Sequence, residues 1–371
     1  MTFSRLHTPL AQPLQVLFVA TLALYIFALF SLSPVFDTAG DAPGYLQAMQ
    51  VMNGTLAEPA TFTPNRILTT FLSTGTVSML GALSGNYLAS WMFVNTLYFF
   101  GLAFVSYFLF RRLTGSDTGS ILGALFVVGN YDVLVFGLNY LMDLTGWFWF
   151  MLSMLFLAAY ADSRERRHLW LAVLAAGIGG LFKEYAYVAF APIGLYMLWE
   201  SLPWKGLRTP LALVRDNVAL VAAAVVPTAL VHLGVYLIYG YTYLDWYGMN
   251  TSTFAFEGWL ENSVRSYLVI LSFMLPISII GLARLIKDRH SLGARRAAFI
   301  AVFSLPAFAM LAWPIITERL VFLAVPVAAL FAAFAIARHE RWWVWFTIAL
   351  ILYVALAVKT DGLILSVLYA R

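Results

Sequence analysis

The chain has 371 residues, of which 62% are hydrophobic and only 11% are charged. A soluble domain carries about 25% charged residues because water must cover its surface, so this composition excludes an ordinary soluble enzyme. The mean hydropathy is +0.84 and the pI is near 9.2. The basic residues lie in short loops between apolar runs, which argues against a nucleic-acid partner. Cysteine is absent, which excludes disulfides, cysteine-based zinc sites and thiolate catalysis.

Most of the apolar runs approach the length of a membrane-spanning helix, which needs about 20 residues. They lie at 14–35, 66–83, 87–110, 118–140, 144–161, 169–182, 185–199, 217–240, 267–286, 297–315, 320–337 and 342–358. We therefore predict an all-α polytopic membrane protein with about 11 transmembrane helices, a single transmembrane domain over 1–371 and no large soluble domain. The first run lacks a cleavage site, and we interpret it as an uncleaved anchor.

Basic residues are concentrated in alternate loops. The basic loops hold Arg111 and Arg112; Arg164, Arg166 and Arg167; Lys205, Arg208 and Arg215; Arg284, Lys287, Arg289, Arg295 and Arg296; and Arg338 and Arg341. The positive-inside rule predicts that these loops face the cytoplasm. The other loops face outward, including an aromatic loop at 241–266.

The first third of the chain allows two topologies, which charge alone does not distinguish. If run 66–83 crosses the membrane, the preceding loop faces the cytoplasm; if it lies in the interface or re-enters, that loop faces outward. The run contains six hydroxyl residues, which makes it a poor lipid-facing span and favours the interfacial interpretation. We therefore predict an outer juxtamembrane segment over 36–86. The spacings Gly81-x-x-x-Gly85 and Gly119-x-x-x-Gly123 predict close helix packing.

Two carboxylates stand at predicted helix starts on the same membrane face. Asp41 precedes Ala42-Pro43, and Asp143 follows Leu141-Met142. Either carboxylate has a simple explanation as a helix cap. Together they could also converge on one cavity, where they would act as a general base or hold a cation.

Two further positions place charge within or next to apolar segments. Lys183-Glu184 interrupts an otherwise apolar stretch whose halves are too short to span untilted, and charges at such depth usually face a cavity with a partner. They could also simply satisfy each other. Arg319, preceded by Glu318, begins an apolar helix and could be a snorkelling interfacial arginine.

These residues form an ordered series. In chain order they are Asp41 and Tyr45 in Asp-x-x-x-Tyr-Leu, Arg66 opening an interfacial stretch, Arg111–Gly115 in Arg-Arg-Leu-x-Gly, Asp143 in Leu-x-Asp, Lys183 in Leu-Phe-Lys, and the helix Arg319–Pro326. The series, which covers 37–330, resembles the GT-C type membrane glycosyltransferases, the superfamily of the protein O-mannosyltransferases and the lipid A aminoarabinose transferase.

The resemblance implies a fold with juxtamembrane helices in the first outer loop and a run 66–83 that does not cross. It implies inverting transfer of a sugar from a polyprenyl-phosphate donor. By this resemblance Asp41 is the general base, Asp143 a supporting acid, and Lys183 and Arg319 bind the donor phosphate. We assign the flanking residues to the same substrate- and phosphate-binding group: Glu184, Arg66, Tyr45 and Glu318.

The chain departs from many of these relatives at Ala42, where they have a second acid, and from several of them in lacking a large C-terminal soluble domain. The first departure weakens a metal-dependent mechanism, so a divalent cation is only a candidate cofactor. The second leaves recognition of the acceptor, which is a glycan, a lipid or a protein, to the membrane loops. We expect a multi-pass protein of a bacterial inner or plasma membrane with an outward-facing active site. The alternatives are a transporter or lipid flippase, or an inactive scaffold of the same fold.

Overall fold

The computed structural model describes residues 10–34, 36, 41–56, 63–201, 215, 217–245, 248, 259–308 and 321–359. Regular structure in these residues is entirely helical. The α-helices are α1 (Ala11–Leu32), α2 (Ala42–Met52), α3 (Thr63–Thr69), α4 (Phe71–Ser84), α5 (Tyr87–Thr114), α6 (Asp117–Val128), α7 (Asp143–Ser163), α8 (Arg166–Phe182), α9 (Phe190–Ser201), α10 (Val218–Tyr239), α11 (Trp259–Leu271), α12 (Met274–Lys287), α13 (Ala294–Ser304), α14 (Val325–Arg338) and α15 (Trp343–Lys359). The all-α prediction is confirmed.

Within the described residues, 5 helices are long and apolar enough to cross a membrane, and up to 7 if each of two bent helix pairs counts as one span. Shorter apolar helices, such as Asp117–Val128, add to this bundle. The chain is therefore an integral membrane protein, but the predicted number of about 11 spans is not confirmed. Apolar length measures how much chain could lie in lipid, whereas the number of crossings also depends on where the chain bends.

Glycines let α6 approach α14 closely. A side chain on Gly119 would meet the Ala333 carbonyl oxygen at 2.7 Å, and one on Gly123 would meet the Ala333 side chain at 3.0 Å. The predicted packing role of this pair is confirmed. The prediction for Gly85 is wrong: this residue ends α4 with a φ of 72°, and a side chain there would touch nothing within 4 Å. A left-handed C-terminal cap favours glycine for its backbone, not for its small size.

The hydroxyl-rich run 66–83 is broken into α3 and α4, which are bent by 105°. Five of its six hydroxyls make hydrogen bonds within the protein. Ser73 Oγ lies 2.9 Å from Thr145 Oγ1, and Ser78 donates to the Met49 carbonyl oxygen at 2.7 Å. At 1.5 Å per residue, α4 is about 21 Å long, shorter than the roughly 30 Å hydrocarbon core. These contacts favour our prediction that the run does not cross the membrane.

The topology can be tested by cysteine labelling, because the chain has no cysteine of its own. Thr55, in the exposed turn after α2, is predicted to face outward, whereas Arg167, whose side chain is 72% exposed, is predicted to face the cytoplasm. We expect a membrane-impermeant maleimide to label Thr55→Cys in intact cells and Arg167→Cys only after permeabilisation. Labelling of Thr55→Cys from the cytoplasm alone would place the Asp41 loop in the cytoplasm and contradict this topology.

Candidate active site

Six of the eight predicted site residues lie together where α2, α3, the start of α7 and the end of α8 meet. We call this set the charged cluster; its members are Asp41, Tyr45, Arg66, Asp143, Lys183 and Glu184. The other two, Glu318 and Arg319, lie outside the described residues. Residues separated by more than a hundred positions in the chain thus form one polar group in an otherwise apolar protein.

Asp41 is bound by an arginine. Its Oδ1 lies 2.6 Å from a terminal guanidinium nitrogen of Arg66, and the side chains are 28% and 18% exposed. Asp41 occupies the cap position of α2, but its side chain makes no capping hydrogen bond. The simple explanation of Asp41 as a helix cap is therefore wrong, and its carboxylate faces α3 instead of its own helix.

Tyr45 connects the two cations of the cluster. Lys183 Nζ donates to the Tyr45 hydroxyl at 3.2 Å, and a guanidinium nitrogen of Arg66 lies 3.5 Å from the same oxygen. The Arg66 guanidinium carbon is 4.8 Å from the centre of the tyrosine ring, and Lys183 Nζ is 5.7 Å from it. Tyr45 is fully buried, so both cations are held against one rigid aromatic side chain.

Lys183 is buried among carboxylates. Its Nζ lies 3.3 Å from Glu184 Oε1 and 3.8 Å from Asp143 Oδ1, and its side chain is only 4% exposed. The predicted Lys183–Glu184 pair is present, but it is one contact of several, because Asp143 and Tyr45 share the same ammonium group. A buried ammonium is expensive unless it is paired and hydrogen-bonded, and these three side chains meet that requirement.

The start of α7 provides both a carboxylate and space for Lys183. Asp143 lies in the first turn of α7 and is fully buried, where the positive end of the helix dipole favours a carboxylate. One turn on, a side chain at Gly146 would lie 2.8 Å from Lys183 Cβ. Lys183 itself has an extended backbone between α8 and a short 3₁₀ helix, Glu184–Ala189. Glycine at position 146 thus admits the lysine stem beside the carboxylate.

Tyrosines after α10 border the cluster. Gly240 ends α10 in a left-handed conformation, and Tyr241 and Tyr243 then pack against α2 and α3. Burial raises the pKa of the Tyr241 hydroxyl; Asp245 raises this pKa further, and Arg66 lowers it. Burial also raises the pKa of Tyr243, an effect that Glu184 strengthens and Lys183 opposes. Both phenols therefore remain protonated hydrogen-bond donors at neutral pH.

The described part of the cluster does not fit a divalent cation. No group of three or more His, Asp or Glu side chains comes together anywhere in the described ranges. The two carboxylates with helix-start positions each face a cation, Asp41 facing Arg66 and Asp143 facing Lys183. We derive no step through a metal, and metal dependence stays a prediction to be tested.

The chain was compared with known proteins. A family model described as dolichyl-phosphate-mannose-protein mannosyltransferase matches residues 105–232. Among solved structures, the chain is similar to ArnT from Cupriavidus metallidurans bound to undecaprenyl phosphate, with a TM-score of 0.57 and 14% identity. This similarity covers 90% of the present chain and 62% of ArnT, so the chain spans less than two thirds of the length of ArnT. No curated protein sequence matches the chain.

The predicted resemblance to the protein O-mannosyltransferase superfamily is confirmed by the family model, and the structural similarity to ArnT confirms the fold. At 14% identity the similarity to ArnT concerns the fold, and undecaprenyl phosphate is what ArnT binds. The structure described above therefore has the fold of a GT-C type membrane glycosyltransferase.

Proposed function

We propose that the chain is a glycosyltransferase that moves a sugar from a polyprenyl-phosphate donor to an acceptor hydroxyl on the outer face of the membrane, with inversion. The observation that carries this proposal is the charged cluster, in which Arg66 and Lys183 flank Tyr45 while Asp41 lies at one edge. A phosphate needs cations, and an attacking hydroxyl needs a base. The cluster supplies both within one site.

The two cations have the properties of a phosphate site. Both contact Tyr45, so the distance between them is set by a buried ring and not by flexible loops. Arg66 offers a planar fork for two phosphate oxygens, whereas Lys183 is a point charge. We expect Arg319, by the resemblance, to contribute a third cation. A lipid-linked phosphate would reach this site from the bilayer, as the undecaprenyl phosphate of ArnT supports by analogy of fold.

In the proposed reaction an acceptor hydroxyl oxygen attacks the anomeric carbon of the sugar. The bond from that carbon to the phosphate oxygen breaks, the hydroxyl proton passes to Asp41, and polyprenyl phosphate leaves with one more negative charge than it had in the donor. Arg66 and Lys183 stabilise this added charge. Attack from the face opposite the leaving phosphate inverts the configuration at the anomeric carbon.

Arg66 links donor binding to the base. A carboxylate bound at 2.6 Å to a guanidinium is a poor proton acceptor, because the cation favours its charged form. A donor phosphate would compete with Asp41 for Arg66 and so leave the carboxylate more basic.

The remaining residues of the site support Lys183 and the sugar. Asp143 and Glu184 balance the charge of Lys183 and orient it. Tyr241 and Tyr243 border the charged cluster, since Arg66 acts electrostatically on Tyr241 and Lys183 and Glu184 act on Tyr243. Both are suited to contact the sugar.

The donor-binding part of this proposal is tested at Arg319. We expect Arg319→Ala and Arg319→Lys both to weaken binding of a polyprenyl-phosphate sugar, the former by about 1–3 kcal/mol, because lysine keeps the charge but not the bidentate fork. Binding is measured with purified protein in lipid nanodiscs. Arg265→Ala is the matched control, since Arg265 is paired with Glu261 on the predicted outer face. Unchanged binding in Arg319→Ala would remove Arg319 from the site.

A transporter or lipid flippase is the second candidate, and one observation favours it. Two helix pairs are sharply bent, α3 with α4 by 105° and the Ser263–Leu271 part of α11 with α12 by 92°, and broken helices are common in transporters. Proteoliposomes, which unlike nanodiscs enclose a separate compartment, distinguish the two functions. Sugar transfer to an acceptor supports the glycosyltransferase, whereas donor movement across the bilayer without transfer supports a flippase.

A further inference from the structure

The end of α8 is held by side chains from two other helices. The last four carbonyl groups of a helix have no partner within it, and one of these belongs to Phe182, the residue before Lys183. Ser73, on α4, donates to the Phe182 carbonyl oxygen at 2.5 Å, and Thr145 Oγ1, on α7, lies 3.5 Å from it. The peptide that leads into Lys183 is thus anchored by the Ser73 hydroxyl, with the Thr145 hydroxyl beside it.

The two hydroxyls also contact each other. Ser73 Oγ lies 2.9 Å from Thr145 Oγ1, and the Met142 carbonyl oxygen lies 2.6 Å from the same Thr145 oxygen. Because Ser73 gives its own proton to Phe182, Thr145 is the donor in the contact with Ser73 and shares its single proton between Ser73 Oγ and the Met142 carbonyl oxygen. Ser73 and Thr145 are both fully buried, so water cannot replace either hydroxyl without opening the packing. The hydroxyl pair therefore connects α4, the start of α7 and the end of α8 at a single point.

This point lies within the turn of α7 that forms the charged cluster. Thr145 lies between Asp143 and Gly146 in the chain. The Asp143 carboxylate is 3.8 Å from Lys183 Nζ, and the missing side chain of Gly146 leaves space for the lysine stem. The backbone of Lys183 is extended, with a φ of −162°, so a shift of the Phe182 carbonyl would carry the ammonium with it. No side-chain contact of Ser73 or Thr145 with Lys183 itself is needed for this effect.

We propose that Ser73 and Thr145 are positioning residues that fix Lys183 relative to Asp143 and Tyr45: Ser73 holds the Phe182 carbonyl directly, and Thr145 holds Ser73. This inference rests on the proposed function, because the group that they position is the proposed phosphate-binding cation. It also gives part of the hydroxyl-rich composition of α4 a role in the site, because Ser73 contacts the end of α8. Simple helix packing would need the same volume but not the hydroxyl groups.

The test compares hydroxyl removal here with hydroxyl removal elsewhere between the same helices. Ser153 on α7 donates to the Ala172 carbonyl oxygen of α8 at 2.8 Å and is equally buried, so Ser153→Ala is the matched control. The test variants are Ser73→Ala, the nearly isosteric Thr145→Val, and the two combined. Thr145→Ser keeps the hydroxyl and is the rescue variant. Steady-state sugar transfer and thermal unfolding are measured for each.

We expect the combined variant to lose about 10- to 100-fold in kcat/KM, the scale of a displacement near 1 Å in an active site. The loss should fall mainly on kcat, because the leaving phosphate needs Lys183 most in the transition state. Thr145→Ser should retain nearly all activity. Ser153→Ala should lower the unfolding temperature about as much as each single test variant does. It should leave kcat/KM close to that of the unmodified chain.

Each outcome is decisive. Two results would overturn the positioning role while the unmodified chain remains active. In the first, the combined variant behaves like Ser153→Ala; in the second, Thr145→Ser is as impaired as Thr145→Val. Either result leaves the proposed function intact. An unmodified chain that neither binds the polyprenyl-phosphate sugar nor transfers it contradicts the proposed function, and the positioning role with it. The two failures are therefore distinguished by the unmodified chain alone.

Discussion

Replacing Asp41 with asparagine should reduce sugar transfer by about 10²- to 10⁴-fold, the usual contribution of a general base. The amide keeps the shape of the carboxylate but cannot accept the proton of the attacking hydroxyl. Donor binding should be retained or tightened, because Arg66 loses its partner at 2.6 Å and is left to the phosphate. The measurement is the transfer rate at saturating donor, together with donor affinity for the same preparation.

Stability separates this effect from a folding defect. The Asp41 and Arg66 side chains are both partly exposed, so breaking their ion pair should cost only about 1 kcal/mol or less after solvent screening. Asp245→Asn is the matched control, since Asp245 is exposed and accepts hydrogen bonds from the backbone and the side chain of Thr242. Wild-type turnover in Asp41→Asn would mean that another group is the base.

Much of the candidate site could be predicted because charge is scarce in this chain. With 11% charged residues, each charge outside the basic loops stands out, and a charge within an apolar run usually faces a cavity. Lys183 was predicted on that basis, Asp41 and Asp143 from their positions at helix starts on one membrane face, and all three by the resemblance. The structure places all three in the charged cluster. Charged residues mark the site because an unpaired charge has a high free energy in the lipid bilayer.

The contacts within the cluster could not be predicted. Tyr45 meets Lys183 from 138 positions away in the chain, and the contact depends on how far α2 is rotated about its own axis. Ser73 and Thr145 were missed as positioning residues for the same reason: composition shows a hydroxyl-rich run, but not which carbonyl each hydroxyl reaches. Gly146 carries no signal in the sequence, since its function is the absence of a side chain.

The number of membrane spans could not be predicted from the sequence for a different reason. Hydropathy reports the length of apolar chain, and run 66–83 is long enough to be one span. The structure bends it by 105° after Thr69, at a position without proline or glycine, so no local breaker residue marks the bend. Tertiary contacts of the run, such as the Ser73 and Ser78 hydrogen bonds, cannot be detected by any measure of local composition.

Replacing Lys183 with methionine should impair both stability and transfer. The ammonium is the cation beside Glu184 at 3.3 Å and Asp143 at 3.8 Å, and removing one partner of a buried ion pair typically costs about 3–5 kcal/mol. Methionine keeps the length of the stem beside Gly146, so a cavity does not explain the loss. The measurement is denaturation in detergent, followed by donor binding under conditions where the variant remains folded.

A second substitution distinguishes the two roles of Lys183. Lys183→Met combined with Asp143→Asn removes the fully buried carboxylate along with the cation, so part of the lost stability should return, because less uncompensated charge remains. Donor binding should stay weaker by about 1–3 kcal/mol and transfer should stay low, because the phosphate still lacks its cation. If the combined variant regained donor binding along with stability, Lys183 would be a structural counter-ion only, and the phosphate would have to be held by Arg66 and Arg319.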